Sequence, residues 1–374
     1  MNILNKTVLA LCGCLLMISC SSTAESDGFV IKRGTNLSHW LSQSFVRGDA
    51  RAARVTEADI ARLADLGFDH VRIPIDEVQF WDEEGNKLPE AWDLLTGALD
   101  NCRKYGLRAI VDLHIIRSHN FNAGHDGFKN TLFEDPVAQD RLIDLWYQLS
   151  DALKDYSTDW VAYEFMNEPV ADDHEQWNQL VAKVHKALRE REPERTLVIG
   201  SNMWQGVGTM KYLKVPEGDK NIILSCHFYE PMALTHYTAP WTESGEYFGT
   251  VQYPGVMISE EEFAALDERH QDIFRQFTTE WDRDRLAAMV GEAAEIAKGL
   301  GLQLYCGEWG VYCKAPRESA YNWYRDMISI FDEYDMAWST WCYFDEFGFW
   351  SLENQTISDQ PMLDILLSGK ALGE

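Results

Sequence analysis

The sequence has little positive charge for its length. Its 374 residues contain 33 lysines and arginines against 60 aspartates and glutamates, which gives a formal net charge of −27. Nucleic acids and anionic lipid surfaces are bound through basic patches, so this balance argues against both as partners. We expect a soluble, monomeric chain whose ligand is uncharged.

Cysteines are too few and too scattered for a disulfide framework. Three of the eight fall in the first twenty residues, and the remaining five are Cys102, Cys226, Cys306, Cys313 and Cys342. An odd number spread over a large chain indicates buried free thiols, and no spacing among them is that of a zinc site. The sequence therefore predicts no metal and no cofactor.

Long apolar runs are also missing, apart from one near the N-terminus. Lys6 precedes VLALCGCLLMI, which is too short to span a membrane and is typical of a signal peptide. The following Ser19-Cys20 resembles a lipoprotein cleavage site, so residues 1–20 are predicted to be a lipoprotein-type signal peptide with Cys20 lipidated. Ordinary signal-peptidase cleavage nearby is the alternative. Residues 21–28 would form a tether, and the chain would be an exported bacterial lipoprotein held at a membrane, in the periplasm or at the cell surface.

A glycine-rich nucleotide loop is absent, yet strands alternate with helices along the rest of the chain. The predicted strands are FVIKRGTNL, DHVRIPI, LRAIVDLHI, WVAYEFM, TLVIG, NIILSCHFY, LQLYCGEWG and MAWSTWCYF. Eight strands separated by helices predict a parallel sheet, and without a nucleotide loop they favour a closed (β/α)8 TIM barrel. We therefore expect one catalytic domain over residues 29–374.

One connection is too long for a plain loop between a barrel strand and its helix. It runs from about 230 to 281, after the sixth predicted strand. Loops of that length usually carry function, so we expect a small subdomain over the active face. Pro231, Trp241, Tyr253 and Pro254 are its predicted anchors.

Two glutamates fall at the ends of predicted strands. The fourth strand leads into Asn167-Glu168-Pro169, and the seventh ends in Glu308. Chemistry in (β/α)8 barrels takes place at the C-terminal ends of the strands, so these carboxylates should meet at one mouth. Retaining glycoside hydrolysis needs such a pair, one as acid/base and one as nucleophile, about 5–5.5 Å apart.

Other polar residues lie near strand ends as well. These residues are Arg72, His114, His227, Tyr229 and Trp341. An arginine beside a carboxylate keeps it ionised, as a nucleophile requires, whereas an acid needs a raised pKa. Each residue also has a structural interpretation, such as an ion pair inside the barrel, a core histidine or a core aromatic.

Aromatic residues are plentiful, at fourteen Trp, fifteen Tyr and seventeen Phe. Trp40, Trp204, Trp241 and Trp309 are open between core packing and lining a sugar cleft.

Glu164 is set aside, because the fourth strand is predicted to run past it.

The chain resembles glycoside hydrolase family 5, the large cellulase family. The resemblance extends from GTNLSHW to the C-terminal helix and includes FDHVRIPID, TLFEDP, HFYEP, THYTAPWTES, YPG and LYCGEWGV, which are similar to endoglucanase C-like members. It implies a retaining enzyme that cleaves β-1,4-linked or mixed-linkage β-1,3-1,4-glucan by double displacement.

The resemblance also implies roles for individual residues. Glu168 would be the acid/base and Glu308 the nucleophile. Asn167 would hold the sugar 2-hydroxyl, Arg72 and Tyr229 would support Glu308, and His227 would lie close to Glu168. His114 and Trp341 would line the −1 subsite, although Ile115 stands where many members have a second histidine.

Three alternatives remain open from the sequence. The enzyme could be a β-mannanase or another family 5 β-glycanase. It could instead be a surface lipoprotein that binds glycan without cutting it. A metal-dependent hydrolase on the same barrel is disfavoured, because the first predicted strand lacks the pair of histidines that such enzymes place there.

Overall fold

The computed structural model describes residues 28–123 and 129–374, so the predicted signal peptide, the predicted lipidation site Cys20 and the predicted tether up to residue 27 lie outside it. In the described residues the strands are β1 (Arg33–Asn36), β2 (His70–Asp76), β3 (Arg108–Ile115), β4 (Val161–Glu164), β5 (Leu197–Gly200), β6 (Ile222–Phe228), β7 (Gly255–Val256), β8 (Glu280–Trp281), β9 (Gln303–Trp309), β10 (Ala337–Thr340), β11 (Trp350–Ser351) and β12 (Thr356–Ile357). Strands β1–β6, β9 and β10 close into a barrel in chain order, and every neighbouring pair is parallel. The predicted (β/α)8 barrel is confirmed.

Helices connect the strands and cover the outside of the barrel. In the same residues they are α1 (Asp49–Ala52), α2 (Glu57–Asp65), α3 (Glu77–Phe80), α4 (Pro89–Tyr105), α5 (Pro136–Leu153), α6 (His174–Arg191), α7 (Met232–Thr235), α8 (Glu260–Ala264), α9 (Glu268–Phe274), α10 (Arg283–Leu300), α11 (Arg317–Glu333) and α12 (Gln360–Ser368). Local chemistry sets several of their ends: Asp59 accepts from the backbone N–H of Thr56 at 2.9 Å before α2, and Gly106 ends α4 at φ 79°. None of the helices described is long and apolar enough to cross a membrane.

The barrel interior has an apolar lower layer at the N-terminal ends of the strands. Its buried members are Phe29, Ile31, Ile110, Ala162, Val198, Ile223, Tyr305 and Ala337. Because side chains alternate along a strand, the next inward-facing positions lie two residues further on. There the strands carry polar or small residues, among them Asp112, Glu164, Gly200 and Ser225. The interior therefore changes from apolar to polar within one strand repeat.

The predicted strand ends differ from the observed ones at the fourth strand. β4 ends at Glu164, so Asn167 and Glu168 lie three and four residues beyond it. The chain stays close to the sheet, because the backbone N–H of Asn167 donates to the carbonyl of Leu113 in β3 at 3.3 Å. Glu168 then adopts a left-handed φ of 43°, which takes its backbone out of the strand direction.

The long connection after β6 is built from short elements. It contains α7, β7, α8, α9, β8 and two 3₁₀ turns. Hydrogen bonds attach it to α11, among them one from the Tyr253 hydroxyl to Asp326 at 2.6 Å and one from Trp323 Nε1 to the carbonyl of Glu230 at 3.0 Å. Of the predicted anchors, Tyr253 is buried and Trp241 is 40% exposed. The connection is thus fixed on the barrel through a few specific contacts.

Candidate active site

The C-terminal ends of the barrel strands bring together all eight residues that the sequence singles out. Glu308 lies in β9 and His227 in β6, while Tyr229 and Trp341 each follow a strand by one residue. A cavity of about 690 Å³ exists at the other end of the barrel, lined in part by Phe29 and Lys220, and it contains none of these eight.

Glu308 is held by two donors. Arg72 Nη1 donates to its Oε1 at 2.8 Å, and the Tyr229 hydroxyl donates to its Oε2 at 3.1 Å. Burial, followed by the nearby carboxylates, raises the pKa of Tyr229 well above its ordinary value, so the phenol keeps the proton that it donates. Glu308 itself is only 5% exposed. Both of its oxygens are therefore fixed by hydrogen bonds.

Glu168 is held differently. Its Oε1 lies 2.8 Å from His227 Nδ1, and its backbone N–H donates to Gln205 Oε1 at 2.8 Å. Burial, with a further contribution from Arg72, lowers the pKa of His227 well below its usual value, so the imidazole is neutral. A neutral imidazole nitrogen donates or accepts according to its tautomer, so it can bond Glu168 in either protonation state.

The two carboxylates are close neighbours. One ligating atom from each of Glu168, His227 and Glu308 lies within 4.8 Å of the other two. This close spacing agrees with the separation of about 5–5.5 Å typical of a retaining pair and is shorter than the 6.5–9.5 Å of an inverting one.

One guanidinium serves this whole group of acids. Arg72 lies 2.9 Å from Asp112, 2.6 Å from Glu164 and 2.8 Å from Glu308, and it is completely buried. Burial alone would lower the pKa of Arg72, but the three carboxylates together raise it well above its normal value. Glu168, beside Glu308, is a fourth carboxylate in the group. A single positive charge cannot neutralise all four, which favours protonation of part of the group.

The proton is best held by Glu168. Burial and then the charge of Glu308 raise the pKa of Glu168 well above its ordinary value. Burial also raises the pKa of Glu308, but Arg72, bonded directly to it, opposes that rise. Burial raises the pKa of Asp112 to about 7. The geometry thus favours a protonated Glu168 beside an ionised Glu308.

His114 and Trp341 form the flat side of the site. Their rings stack at 5.6 Å with an interplanar angle of 7°. The His114 ring is fixed at both nitrogens, since Nδ1 lies 2.7 Å from Asp112 and Nε2 lies 2.9 Å from the side-chain amide of Gln43. Burial lowers the pKa of His114 to about 4, which keeps it neutral. Trp341 is 8% exposed, so a small part of its ring is open to a ligand.

The side-chain amide of Asn167 has a bonded oxygen and an unpaired nitrogen in the described structure. Its Oδ1 accepts from Arg72 Nη2 at 2.8 Å. Its Nδ2 is buried without a partner among the described residues. A buried donor left unpaired costs free energy, so a polar ligand atom is the natural partner for it.

Sequence reasoning missed three residues that organise the site. Glu164 and Asp112 hold Arg72, and Gln205 holds the backbone of Glu168. The alternation of side chains along β3 and β4 would have found the two acids, because they follow Ile110 and Ala162 by two positions. Glu164 is in fact the last residue of β4. No sequence signal singled out Gln205.

Of the four tryptophans whose role the sequence left open, two are buried and two are exposed. Trp40 and Trp309 are buried in the core, at 1% and 0% exposure. Trp204 and Trp241 are 49% and 40% exposed, and they follow β5 and β6 on the face that carries the carboxylates. These two rings are available to a ligand in the cleft.

Glu168, His227 and Glu308 could in principle hold a metal ion. These side chains are already hydrogen-bonded to Arg72, to Tyr229 or to one another, however. Both oxygens of Glu308 accept hydrogen bonds from Arg72 and Tyr229, and His227 Nδ1 is paired with Glu168. A divalent cation would have to replace these bonds next to a guanidinium, so the donor set fits acid–base chemistry better than metal binding.

Comparison with known proteins agrees with this geometry. The family model for cellulase (glycosyl hydrolase family 5) matches residues 27–346. Endoglucanase C of Acetivibrio thermocellus is 33% identical over 91% of this chain and 98% of its own length. Cellodextrinase A of Ruminococcus flavefaciens is 27% identical over 84% and 85% of the two chains.

Solved structures support the same fold. Cel5A of Thermotoga maritima, in complex with mannotriose, superposes with a TM-score of 0.72 at 23% identity, covering 90% of this chain and 97% of its own. The same enzyme in complex with cellobiose gives the same TM-score and coverage. The family match, the relative at 33% identity and the barrel with its carboxylates agree, and the chain belongs to glycosyl hydrolase family 5, the cellulase family of glycoside hydrolases.

Proposed function

We propose that this chain is a retaining endo-β-glucanase that hydrolyses β-1,4-linked or mixed-linkage β-1,3-1,4-glucan. The observation that carries the proposal is the pair Glu168 and Glu308, within 4.8 Å of each other, with Arg72 on one carboxylate and neutral His227 on the other. This is the separation and the asymmetry of protonation that double displacement needs.

In the first step the ionised Glu308 attacks the anomeric carbon. The glycosidic C–O bond breaks, and the leaving oxygen takes the proton of Glu168. Glu308 is then an ester and carries no charge, so the pKa of Glu168 falls and its carboxylate can act as a base.

In the second step Glu168 takes a proton from water. The water oxygen attacks the anomeric carbon, the bond to Glu308 breaks, and the carboxylate of Glu308 and the carboxylic acid of Glu168 are both restored. Retention follows because the anomeric carbon is inverted twice.

Four further residues support a sugar at this position. The unpaired Nδ2 of Asn167 is suited to donate a hydrogen bond to the 2-hydroxyl oxygen, and that contact would strengthen in the transition state. The Trp341 ring, backed by His114, offers an apolar face on which a pyranose ring can stack. Tyr229 would stabilise Glu308 as it changes charge.

The glucan preference rests on the relatives. Two of them are named as an endoglucanase and a cellodextrinase. A β-mannanase is the second candidate, because the Thermotoga maritima enzyme of similar fold was solved with mannotriose as well as cellobiose.

The test is hydrolysis of a glycan panel by the wild type, Glu168→Gln and Glu308→Gln. The panel contains barley mixed-linkage glucan, carboxymethylcellulose, xyloglucan, glucomannan and laminarin. We expect barley glucan to be cut fastest and both variants to lose activity by several orders of magnitude. Fastest cleavage of glucomannan, with mannose at the newly formed reducing ends, would favour the mannanase alternative, and binding without cleavage would favour the non-catalytic glycan-binding alternative.

We also propose that the chain is exported and anchored through a lipid on Cys20. The support is the apolar run after Lys6 and the small residue before Cys20. Metabolic labelling with a fatty acid analogue should label the wild type but not Cys20→Ser. Equal labelling of both proteins would contradict the anchor.

A further inference from the structure

The loop after β5 makes an unusual turn beside the acid. Met203, Trp204 and Gln205 have consecutive left-handed φ angles of 58°, 56° and 53°. Such values are uncommon for residues other than glycine, and three in a row persist only where the surrounding structure holds them. The turn points Trp204 outward, at 49% exposure, and buries Gln205 completely.

We propose that Gln205 is the positioning residue of the acid/base, setting the orientation of Glu168 and keeping it in register with Glu308. The proposal rests on the proposed function, because it assigns Gln205 a part in proton donation to the leaving group. Gln205 would not touch the substrate; it would act through Glu168, His227 and Glu164.

Gln205 is hydrogen-bonded to both Glu168 and His227, the pair that holds the proton. Its side-chain Oε1 accepts the backbone N–H of Glu168 at 2.8 Å, at the residue whose φ is 43°. Its main-chain carbonyl accepts the backbone N–H of His227 at 2.9 Å. Glu168 and His227 are in turn joined by their side chains at 2.8 Å. One residue therefore fixes the backbones on both sides of that hydrogen bond.

The other end of the Gln205 amide reaches the side of the nucleophile. Its Nε2 donates to Glu164 Oε1 at 3.1 Å, and Glu164 Oε2 accepts from Arg72 at 2.6 Å. Arg72 then donates to Glu308 at 2.8 Å. A continuous path of buried hydrogen bonds thus runs from the backbone of the acid to the carboxylate of the nucleophile.

An amide suits this position. One end must accept from a backbone N–H and the other must donate to a carboxylate, which fixes the orientation of the amide. The fold also makes room for it: a Cβ on Gly200, the last residue of β5, would lie 2.2 Å from Gln205 Nε2. Gly200 and the left-handed turn together place the amide under Glu168.

The test compares leaving groups. Gln205→Met keeps the length of the side chain and removes both hydrogen bonds. Protonation by the acid matters for a poor leaving group such as methylumbelliferone and little for dinitrophenolate. General acid catalysis typically accelerates a reaction by about 10²–10⁴-fold. We expect Gln205→Met to lose part of this acceleration, so that kcat/KM on methylumbelliferyl β-cellobioside falls about 10- to 100-fold. On 2,4-dinitrophenyl β-cellobioside we expect a fall of less than about threefold.

Two controls separate positioning from general damage. Asn202→Ala removes hydrogen bonds of 2.8 and 2.9 Å to the backbone of Ala171 in the same region without touching Glu168. It should change kcat/KM on both substrates by the same factor. Glu168→Gln should show the same dependence on leaving group as Gln205→Met, but larger.

Each outcome decides something. Equal losses on both substrates for Gln205→Met, or no loss on either, would overturn the role of Gln205 while leaving the proposed function intact. If Glu168→Gln shows no dependence on leaving group, the acid assignment itself fails, and the role of Gln205 fails with it.

If Gln205→Met does not fold, Gln205→Glu provides the same test. Its new carboxyl group can donate to Glu164 while protonated but repels Glu164 once ionised. Relative to wild type, its kcat/KM on the poor leaving group should therefore fall as pH rises, whereas a constant ratio would contradict the proposal.

Discussion

The two layers inside the barrel are built by the same strands and differ in almost every other respect. β3 places Ile110 in the lower layer and Asp112 in the upper one, and β4 does the same with Ala162 and Glu164. The lower layer is a buried apolar cluster. The upper layer holds Arg72 among the site's carboxylates.

The comparison shows how the molecule separates stability from chemistry. Burying apolar side chains in the lower layer stabilises the fold, because it removes their surface from water. Burying carboxylates in the upper layer opposes folding unless they are paired or protonated. The upper layer also contains buried polar atoms without partners among the described residues, including Asn167 Nδ2 and His227 Nε2. It is therefore suited to a polar ligand.

The largest expected effect comes from removing the nucleophile in the upper layer. Glu308→Ala should lower kcat/KM by about 10⁴-fold or more, because the covalent step is lost. The melting temperature should not fall, since a buried carboxylate is removed. Azide should restore turnover of dinitrophenyl β-cellobioside and give the α-glycosyl azide. A variant with substantial remaining activity on glucan would contradict the assignment.

A second effect should come from removing the only cation that the described structure places among these acids. Arg72→Met leaves Asp112, Glu164 and Glu308 without it, and unpaired buried charges cost about 3–5 kcal/mol in the free energy of unfolding. The acids can relieve this cost by binding protons, so the deficit should shrink from pH 7 to pH 5. Urea denaturation at both pH values measures it.

Arg72→Lys is the matched control, because it keeps the charge but not the forked geometry. It should be less destabilised than Arg72→Met while remaining poorly active. A deficit for Arg72→Met that is the same at both pH values would show that lost packing, and not uncompensated charge, is responsible.

Substitutions in the lower layer should lower stability without lowering activity. Ile110→Ala should lower the free energy of unfolding by about 2–5 kcal/mol, since it leaves a cavity in a fully buried cluster. Ile110→Val should cost about 0.5–1.5 kcal/mol. The folded enzyme should keep its kcat/KM at 25 °C in both variants. A large loss of activity in fully folded Ile110→Val would show that the layers are not separate.

The smallest effect should be a gain in stability when Glu168 is replaced by glutamine. Burial and the charge of Glu308 raise the pKa of Glu168 in the folded state. A group with a raised folded pKa supports the fold below its unfolded pKa, and this support is lost as pH rises through the folded pKa. Glu168→Gln does not titrate. Its melting temperature should therefore exceed that of wild type by a few degrees at neutral pH, and the gain should disappear toward pH 4.

Calorimetry across this pH range checks the sign. A gain that grows toward acidic pH would mean that the folded protein favours the ionised form of Glu168. That result would contradict its assignment as the protonated member of the pair.

The barrel could be predicted from the sequence because its signals are local. Apolar runs of strand length alternate with helical stretches, and the closed sheet follows from their number. Glu308 was found in the same way, at the end of a strand. The predicted fourth strand was too long, because Phe165 and Met166 are apolar although the chain has already left the ladder at Glu164. That error caused Glu164 to be set aside.

The rest of the site depends on contacts that no local pattern encodes. Arg72 is 92 residues from Glu164 and 236 from Glu308 along the chain. Gln205 is placed by a left-handed turn over residues 203–205. The sequence does not indicate this turn, because none of the three residues is glycine. Pattern reasoning finds the carboxylates, while the network that assigns their protons appears only in three dimensions.

The most direct test of the central claim is the configuration of the sugar released first. Proton NMR of cellopentaose or a mixed-linkage oligosaccharide, followed from the first seconds after addition of enzyme, separates the two anomers before mutarotation mixes them. A pair of carboxylates within 4.8 Å predicts that the β-anomer forms first and the α-anomer appears only later. Initial release of the α-anomer would mean inversion by a water molecule held between more distant carboxylates, and it would contradict the account of Glu168 and Glu308 given by the structure.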